Sequence, residues 1–151
     1  VESVQPKQAI ELTFDVARLD RDRVYAWLRA TYWSPGLRRD VFERAVANSI
    51  VVSAIDRASG VQVAFARVVT DRATFAWLCD VFVDPAHRGR GVARAMVRFA
   101  MAHPDLTTLR RFCLATRDAH GVYKPLGFAP VVADNWLERR LPPEAWSDAA
   151  E

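Results

Sequence analysis

Lysine is almost missing from this 151-residue chain: only Lys7 and Lys124 occur, and arginine supplies every other basic side chain. Codon bias in a GC-rich genome is a sufficient explanation, so no functional meaning is attached to it. The net charge is only +3, which permits an anionic ligand but falls short of the basic footprint of a nucleic-acid binder. Cysteine is equally scarce. Cys79 and Cys113 are too few for a secreted disulfide framework, and they point to a reducing cytoplasm. No apolar run approaches the roughly 20 residues of a membrane span, so no membrane partner is expected. The opening Val-Glu-Ser-Val-Gln-Pro-Lys lacks the apolar core of a signal peptide, and the missing initiator Met suggests processing or trimming. What is present is an ordinary globular balance, 51% hydrophobic and 26% charged. The length fits one domain, taken as 1–151.

The glycines are few and clustered. Of six, Gly89, Gly91, Gly121 and Gly127 fall in two short stretches, the places where the backbone has to do what a side chain would prevent. Periodicity around them predicts an α/β chain. Ile10–Asp15 alternates as a strand. Asp20 caps a helix over Arg21–Tyr32, which Ser34-Pro35-Gly36 stops, and a second helix covers Arg39–Asn48. Three strands follow at Ile50–Asp56, Val61–Thr70 and Thr74–Asp84, the last apolar on both faces except for Asp80. Pro85 ends that strand, and a helix runs from the Gly91 region to His103. Leu109–Thr116 reads as a strand, Ala119–Leu126 as a short helix, and Phe128–Val132 and Trp136–Leu141 as two final strands.

The strongest local signal is Val83-Asp84-Pro85-Ala86-His87-Arg88-Gly89-Arg90-Gly91-Val92-Ala93. A glycine-bearing turn opens a helix directly after a central strand. Unpaired N–H groups and the positive end of the helix dipole then converge on one spot, a natural seat for pyrophosphate. An ordinary loop entering a helix beside a solvated arginine face is the plain alternative. No Walker loop is present, and Arg94 stands where the dinucleotide fingerprint needs its third glycine.

Arg88-Gly89-Arg90-Gly91-Val92-Ala93 resembles the acetyl-CoA motif Arg/Gln-x-x-Gly-x-Gly/Ala of the GNAT superfamily of N-acetyltransferases. Downstream, Leu114-Ala115-Thr116-Arg117-Asp118-Ala119-His120-Gly121-Val122-Tyr123-Lys124-Pro125-Leu126-Gly127-Phe128 is similar to that family's fifth strand, fourth helix and Tyr-x-x-x-Gly-Phe ending. The likeness spans roughly residues 10–141, and its upstream part resembles a branch of small bacterial members. It implies a mixed, mostly antiparallel sheet of six to seven strands flanked by about four helices. It also implies roles. Val81, Phe82 and Val83 would offer strand backbone to the pantetheine arm beside a bulge. The backbone of Arg88, Gly89, Arg90, Gly91, Val92 and Ala93 would hold the pyrophosphate of acetyl-CoA, and Tyr123 would protonate the departing thiolate. Asp118 stands where many relatives use Asn against the pantetheine amide, and Cys79 where many carry Glu.

Acyl transfer to an amine needs a deprotonated amine, a stabilised oxyanion and a protonated leaving sulfur. A thiolate of pKa about 8.5 needs only a modest acid, which a phenol can supply. Asp80 is the candidate base, with a buried structural carboxylate as the equal alternative, and His120 is held in reserve. Tyr32 and Trp33, at the joint of the first two helices, are candidates for the acceptor pocket. Arg67 and Arg117 could meet an acceptor carboxylate, although structural salt bridges suit both. Neither cysteine has an activating neighbour in sequence, and His87, His103 and His120 lack metal-ligand spacing, so no metal is expected. The expected function is N-acetylation of a small-molecule amine by a protein that, like many members of the family, would form a homodimer. A protein or peptide N-acetyltransferase and a non-catalytic acyl-CoA sensor are the alternatives.

Overall fold

The computed structural model describes residues 9–131 and 133–148. Five strands form one sheet in the order β1-β2-β3-β4-β5: Ile10–Thr13 (β1), Ile50–Asp56 (β2), Gln62–Thr70 (β3), Phe75–Val83 (β4) and Arg111–Leu114 (β5). The first four pair antiparallel and β5 joins β4 in parallel, so the sheet is mixed as expected. Four helices flank it: Arg21–Arg29 (α1), Arg39–Ala47 (α2), Val92–Met101 (α3) and His120–Tyr123 (α4).

Alternation along β2 and β3 divides the core in two. Val52, Ala54, Ala64 and Ala66 pack with Met96, Val97 and Ala100 of α3. Val51 and Phe65 turn to the other face and pack with Val24 and Leu28 of α1 and Phe42 and Val46 of α2. The helices begin as their sequences dictate: Asp20 accepts from Arg23 N at 3.2 Å to cap α1, and Gly91, left-handed at φ 76, is the N-cap of α3.

The last two expected strands are a correction. Phe128–Val131 and Trp136–Leu141 are not strands among the described residues, and Val132 lies outside them, so the sheet has five strands rather than six or seven. Pro130 has no N–H for a ladder. Leu137 is 92% exposed, so the alternation from Trp136 to Leu141 never meets a sheet face. Trp136 instead stacks on Trp77 at 6.3 Å between ring centroids, with the Arg111 guanidinium 4.9 Å from its ring. Further on, Arg38 N donates to Trp146 O and Asp148 N to Gly36 O, while Arg29 pairs with Asp148 at 2.8 Å. The C-terminal segment therefore straps down the joint between α1 and α2, the joint that carries Tyr32 and Trp33.

Candidate active site

The site begins with a fault in β4. The register moves from Phe65↔Phe82 to Arg67↔Cys79, so Asp80 and Val81 together stand opposite Ala66. Asp80 takes the extra-residue position with φ 54, a left-handed conformation that a non-glycine residue holds only where its surroundings enforce it. On the other side, pairing with β5 ends at Leu78↔Leu114. Beyond that point the strands part, and the backbone of Val81, Phe82 and Val83 faces a groove of about 740 Å³ instead of a partner strand. The bulge lies beside Val81–Val83, as the family resemblance implied.

The glycine-bearing loop closes one end of the groove. Asp84 caps a short 3-10 turn at Pro85–His87 by accepting from Ala86 N at 3.1 Å. Its other oxygen takes a 2.6 Å bond from Arg23 of α1. Gly89 and Gly91 both have φ 76, which carries the chain over itself and into α3. The first helical bond is Ala95 N to Gly91 O at 3.0 Å. From Gly89 to Arg94, the N–H groups have no backbone acceptor among the described residues. Free donors at the positive end of a helix suit a pyrophosphate. Arg88 is partly tied down: its Nε donates to Val83 O at 2.9 Å, and its guanidinium lies 5.3 Å from the Phe82 ring. The side chain of Arg90 lines a separate, smaller cavity beside β1.

At the other end stand Tyr123, Tyr32 and Trp33, which line the same groove. Tyr123 is 8% exposed, and its hydroxyl has no hydrogen-bond partner among the described residues. Burial, reinforced by the neighbouring Tyr32 phenol, raises its pKa above the ordinary value, so it stays protonated and able to donate at neutral pH. Asp118 is exposed on the groove wall.

Asp80 does not line the groove; it stands behind it. Its Oδ1 accepts from Trp33 Nε1 at 3.0 Å and its Oδ2 from Arg67 Nε at 2.9 Å. Arg67 also donates to Ser49 Oγ at 3.1 Å. The salt bridge expected for Arg67 is thus present. His120 faces a different cavity, of about 590 Å³, with Phe112 and Phe128. Burial pushes the Cys79 thiol up to about 12, which suits a packed residue rather than a nucleophile.

Arg94 escaped the sequence reading as a groove residue, whereas Arg117, offered there as a partner for an acceptor carboxylate or for a structural salt bridge, does line the groove. Arg94 occupies the first turn of α3 and reaches toward Gly121 O at 3.5 Å; its spacing with Arg90 and Arg98 suggested only a solvated face. Arg117 makes no salt bridge among the described residues; its guanidinium lies 3.7 Å from the centre of the Tyr32 ring. No local signal announces that contact, since it joins the end of β5 to the α1–α2 joint. Among the described residues no group of side chains could hold a metal ion, and no helix is long and apolar enough to cross a membrane.

Comparison with known proteins agrees with this geometry. Residues 47–130 match the family model described as an acetyltransferase (GNAT) domain. A solved structure from Xanthomonas campestris pv. campestris, classed in the GNAT family, is 43% identical over 89% of this chain and 94% of its own, with a TM-score of 0.82. Two more distant structures share the fold. Glucosamine-6-phosphate N-acetyltransferase from Arabidopsis thaliana is 14% identical, with 88% and 99% coverage and a TM-score of 0.64. A predicted acetyltransferase with acetyl-CoA from Clostridium acetobutylicum is 18% identical, with 87% and 96% coverage and a TM-score of 0.58. No curated protein sequence matches the chain. On the family model and the Xanthomonas relative together, the chain belongs to the GNAT acetyltransferase family.

Proposed function

We propose that this chain is a single-domain, cytoplasmic N-acetyltransferase that moves an acetyl group from acetyl-CoA directly to a small-molecule primary amine. The observation that carries the reading is that one groove joins the free N–H groups of Gly89–Arg94, the uncovered edge of Val81–Val83 and the protonated phenol of Tyr123. Acetyl-CoA as co-substrate supplies an activated thioester. The loop N–H groups and Arg94 bind its pyrophosphate, the Val81–Val83 backbone pairs with its amide-bearing arm, and Asp118 contacts that arm from the opposite wall.

Attack by the amine nitrogen forms the new C–N bond, collapse of the tetrahedral species breaks the C–S bond, Tyr123 gives its proton to the departing sulfur, and the surplus proton of the attacking nitrogen leaves to water, from which the Tyr123 phenol is restored. An amine must be neutral to attack. Three arginines against one carboxylate line the groove among the described residues. With the pyrophosphate of the co-substrate neutralising Arg88 and Arg94, Arg117 is the cation left to favour the neutral amine over the ammonium form by Coulomb repulsion, and the ammonium proton leaves to water. Asp80 is better suited to holding Trp33 in place than to taking that proton, because both its oxygens are already engaged. A basic peptide is a poor fit for such a groove. The sensor alternative rests on Cys79 at the position where relatives carry Glu.

Calorimetry with acetyl-CoA, followed by thiol release with a panel of amines, tests the proposal. Micromolar binding together with turnover of one amine supports an enzyme. Binding without turnover of any amine supports the sensor, and no binding defeats the reading altogether.

A further inference from the structure

We infer that the acceptor amine also carries an oxyanion, a carboxylate or a phosphate, and that Arg117 recognises it. This rests on the acetyltransferase reading above and names the acceptor class for that same groove.

The positive side chains lining the groove do not share one task. Arg88 is held to Val83 O beside the glycine loop, and Arg94 rides on the first turn of α3. Both belong to the pyrophosphate end. Arg117 stands apart from them. It follows β5, and its guanidinium carbon lies over the Tyr32 ring, 3.7 Å from the centroid. Tyr32 packs edge-on against Trp33 at 5.0 Å, and Trp33 is anchored to Asp80 at the β4 bulge. Arg117 is therefore built into the aromatic wall beside the splayed strands, where an acceptor would sit.

Stacking leaves the function of the guanidinium intact. An aromatic face holds the plane of the group in one orientation without neutralising it, and the N–H edges stay free to pair with a carboxylate or phosphate. Among the described residues, no carboxylate pairs with Arg117 and no carbonyl accepts from it. The carboxylate at this end, Asp80, is fully committed to Arg67 and Trp33. A second cationic group on the acceptor would be repelled by Arg117, and the one carboxylate that lines the groove among the described residues, Asp118, is assigned above to the arm of the co-substrate. An acceptor with an anionic group would satisfy it, in a geometry that ring stacking has already ordered.

The test uses the intact protein with matched acceptors: amino acids against their decarboxylated amines, and O-phosphoethanolamine against ethanolamine. Acetyl-CoA affinity is measured separately by calorimetry. We expect the anionic member of at least one pair to be preferred, the carboxylate and phosphate arms showing which oxyanion is read. In Arg117→Met, which keeps bulk over Tyr32 without charge, that preference should fall by about tenfold or more through the acceptor KM, the loss of one charge-assisted contact. Arg117→Lys should recover only part of it, because an ammonium cannot reproduce the planar fork. Acetyl-CoA affinity should remain within about twofold of wild type. Four results overturn the proposal: turnover only of neutral or cationic amines, turnover of none of the panel, equal loss for both members of a pair, or weakened acetyl-CoA binding in Arg117→Met. The last would place Arg117 on the phosphates of the co-substrate. Failure of the wild type to bind acetyl-CoA would instead defeat the acetyltransferase reading.

Discussion

The indole N–H of Trp33 donates to Asp80 Oδ1 at 3.0 Å, while Arg67 holds the other oxygen of the same carboxylate at 2.9 Å. A residue in the joint after α1 is thereby fixed to a bulge in the middle of the sheet. The bulge gives Asp80 its left-handed backbone, and the ion pair gives the side chain a fixed direction. Trp33 inherits both. Asp80 thus supports the wall of the groove that Trp33 forms.

The two roles open to Asp80 predict different kinetics. As a positioning residue, its change to Asn keeps a carbonyl oxygen for Trp33 but loses the charge that holds Arg67. Asp80→Asn and Trp33→Phe should then both raise the acceptor KM by several-fold, with a smaller change in kcat and the acidic limb of the pH profile kept. A general base would lose about 10²–10⁴-fold in kcat, together with that limb. Steady-state kinetics from pH 6 to pH 9 distinguish them. Asp80→Ala should also destabilise the fold by about 3 kcal/mol, because it strands the half-buried Arg67 guanidinium; urea unfolding measures this.

Tyr123→Phe should lower kcat by about 10²-fold or more while calorimetry finds acetyl-CoA affinity within about twofold of wild type. The wild-type pH profile carries a second test. Because burial raises the Tyr123 pKa, the phenol remains an acid throughout the neutral range, and its loss appears only as pH rises through that raised value. The same shift bears on stability. A folded-state pKa above the unfolded value, about 10, gives stabilisation that is fully present below pH 10 and is lost as pH climbs through the folded pKa. Tyr123→Phe should remove this alkaline component from the unfolding curve.

Where the signal is local in sequence, the candidate site was legible. The strand into Pro85, the left-handed Gly89 and Gly91 and the amphipathic start of α3 are neighbours in the chain, and each narrows what the next can do. The groove's aromatic end was only partly legible. Trp33 lies 47 residues from the carboxylate it binds. The bulge reverses alternation at Asp80, so the strand pattern could not say which way that side chain faces. Arg117 finds Tyr32 only after β5 has been placed beside β4. The final strands failed for another reason: alternation is necessary for a half-buried strand but does not supply a partner. Trp136 found Trp77 instead, and Leu137 was left in solvent.

Cys79 should be chemically silent in the folded protein. Its thiol is pushed up to about 12, chiefly by burial, with Arg67 opposing the shift and Asp80 adding to it. The reactive species is the thiolate, so alkylation at pH 8 should run about a thousandfold more slowly than for an unperturbed thiol. Mass spectrometry after brief iodoacetamide treatment should find Cys79 unmodified in the folded protein and modified in urea. Rapid folded-state labelling would indicate an activated thiol and reopen the nucleophile reading.

Gly91 offers a test of the cofactor loop in which backbone strain, not a clash, is the cause. A Cβ built there meets no atom within 4 Å, but φ is 76, a conformation that costs an ordinary L-residue about 1–2 kcal/mol. Gly91→Ala can respond in two ways. It can keep the left-handed turn and lose about that much stability, or relax the turn and misdirect the N–H groups that lead into α3. The loop is exposed and free to relax, so the second response is expected, and the conformation with all these donors converging becomes less populated. Acetyl-CoA affinity should therefore fall about 5–30-fold, the binding equivalent of the same energy. Gly91→Val should fall further, because its β-branched side chain tolerates this region least. A thermal shift gives the stability term and calorimetry the binding term. If both variants bind acetyl-CoA as tightly as the wild type without melting earlier, the turn has relaxed at no cost to binding, Gly91 serves only to start the helix, and the pyrophosphate seat lies elsewhere.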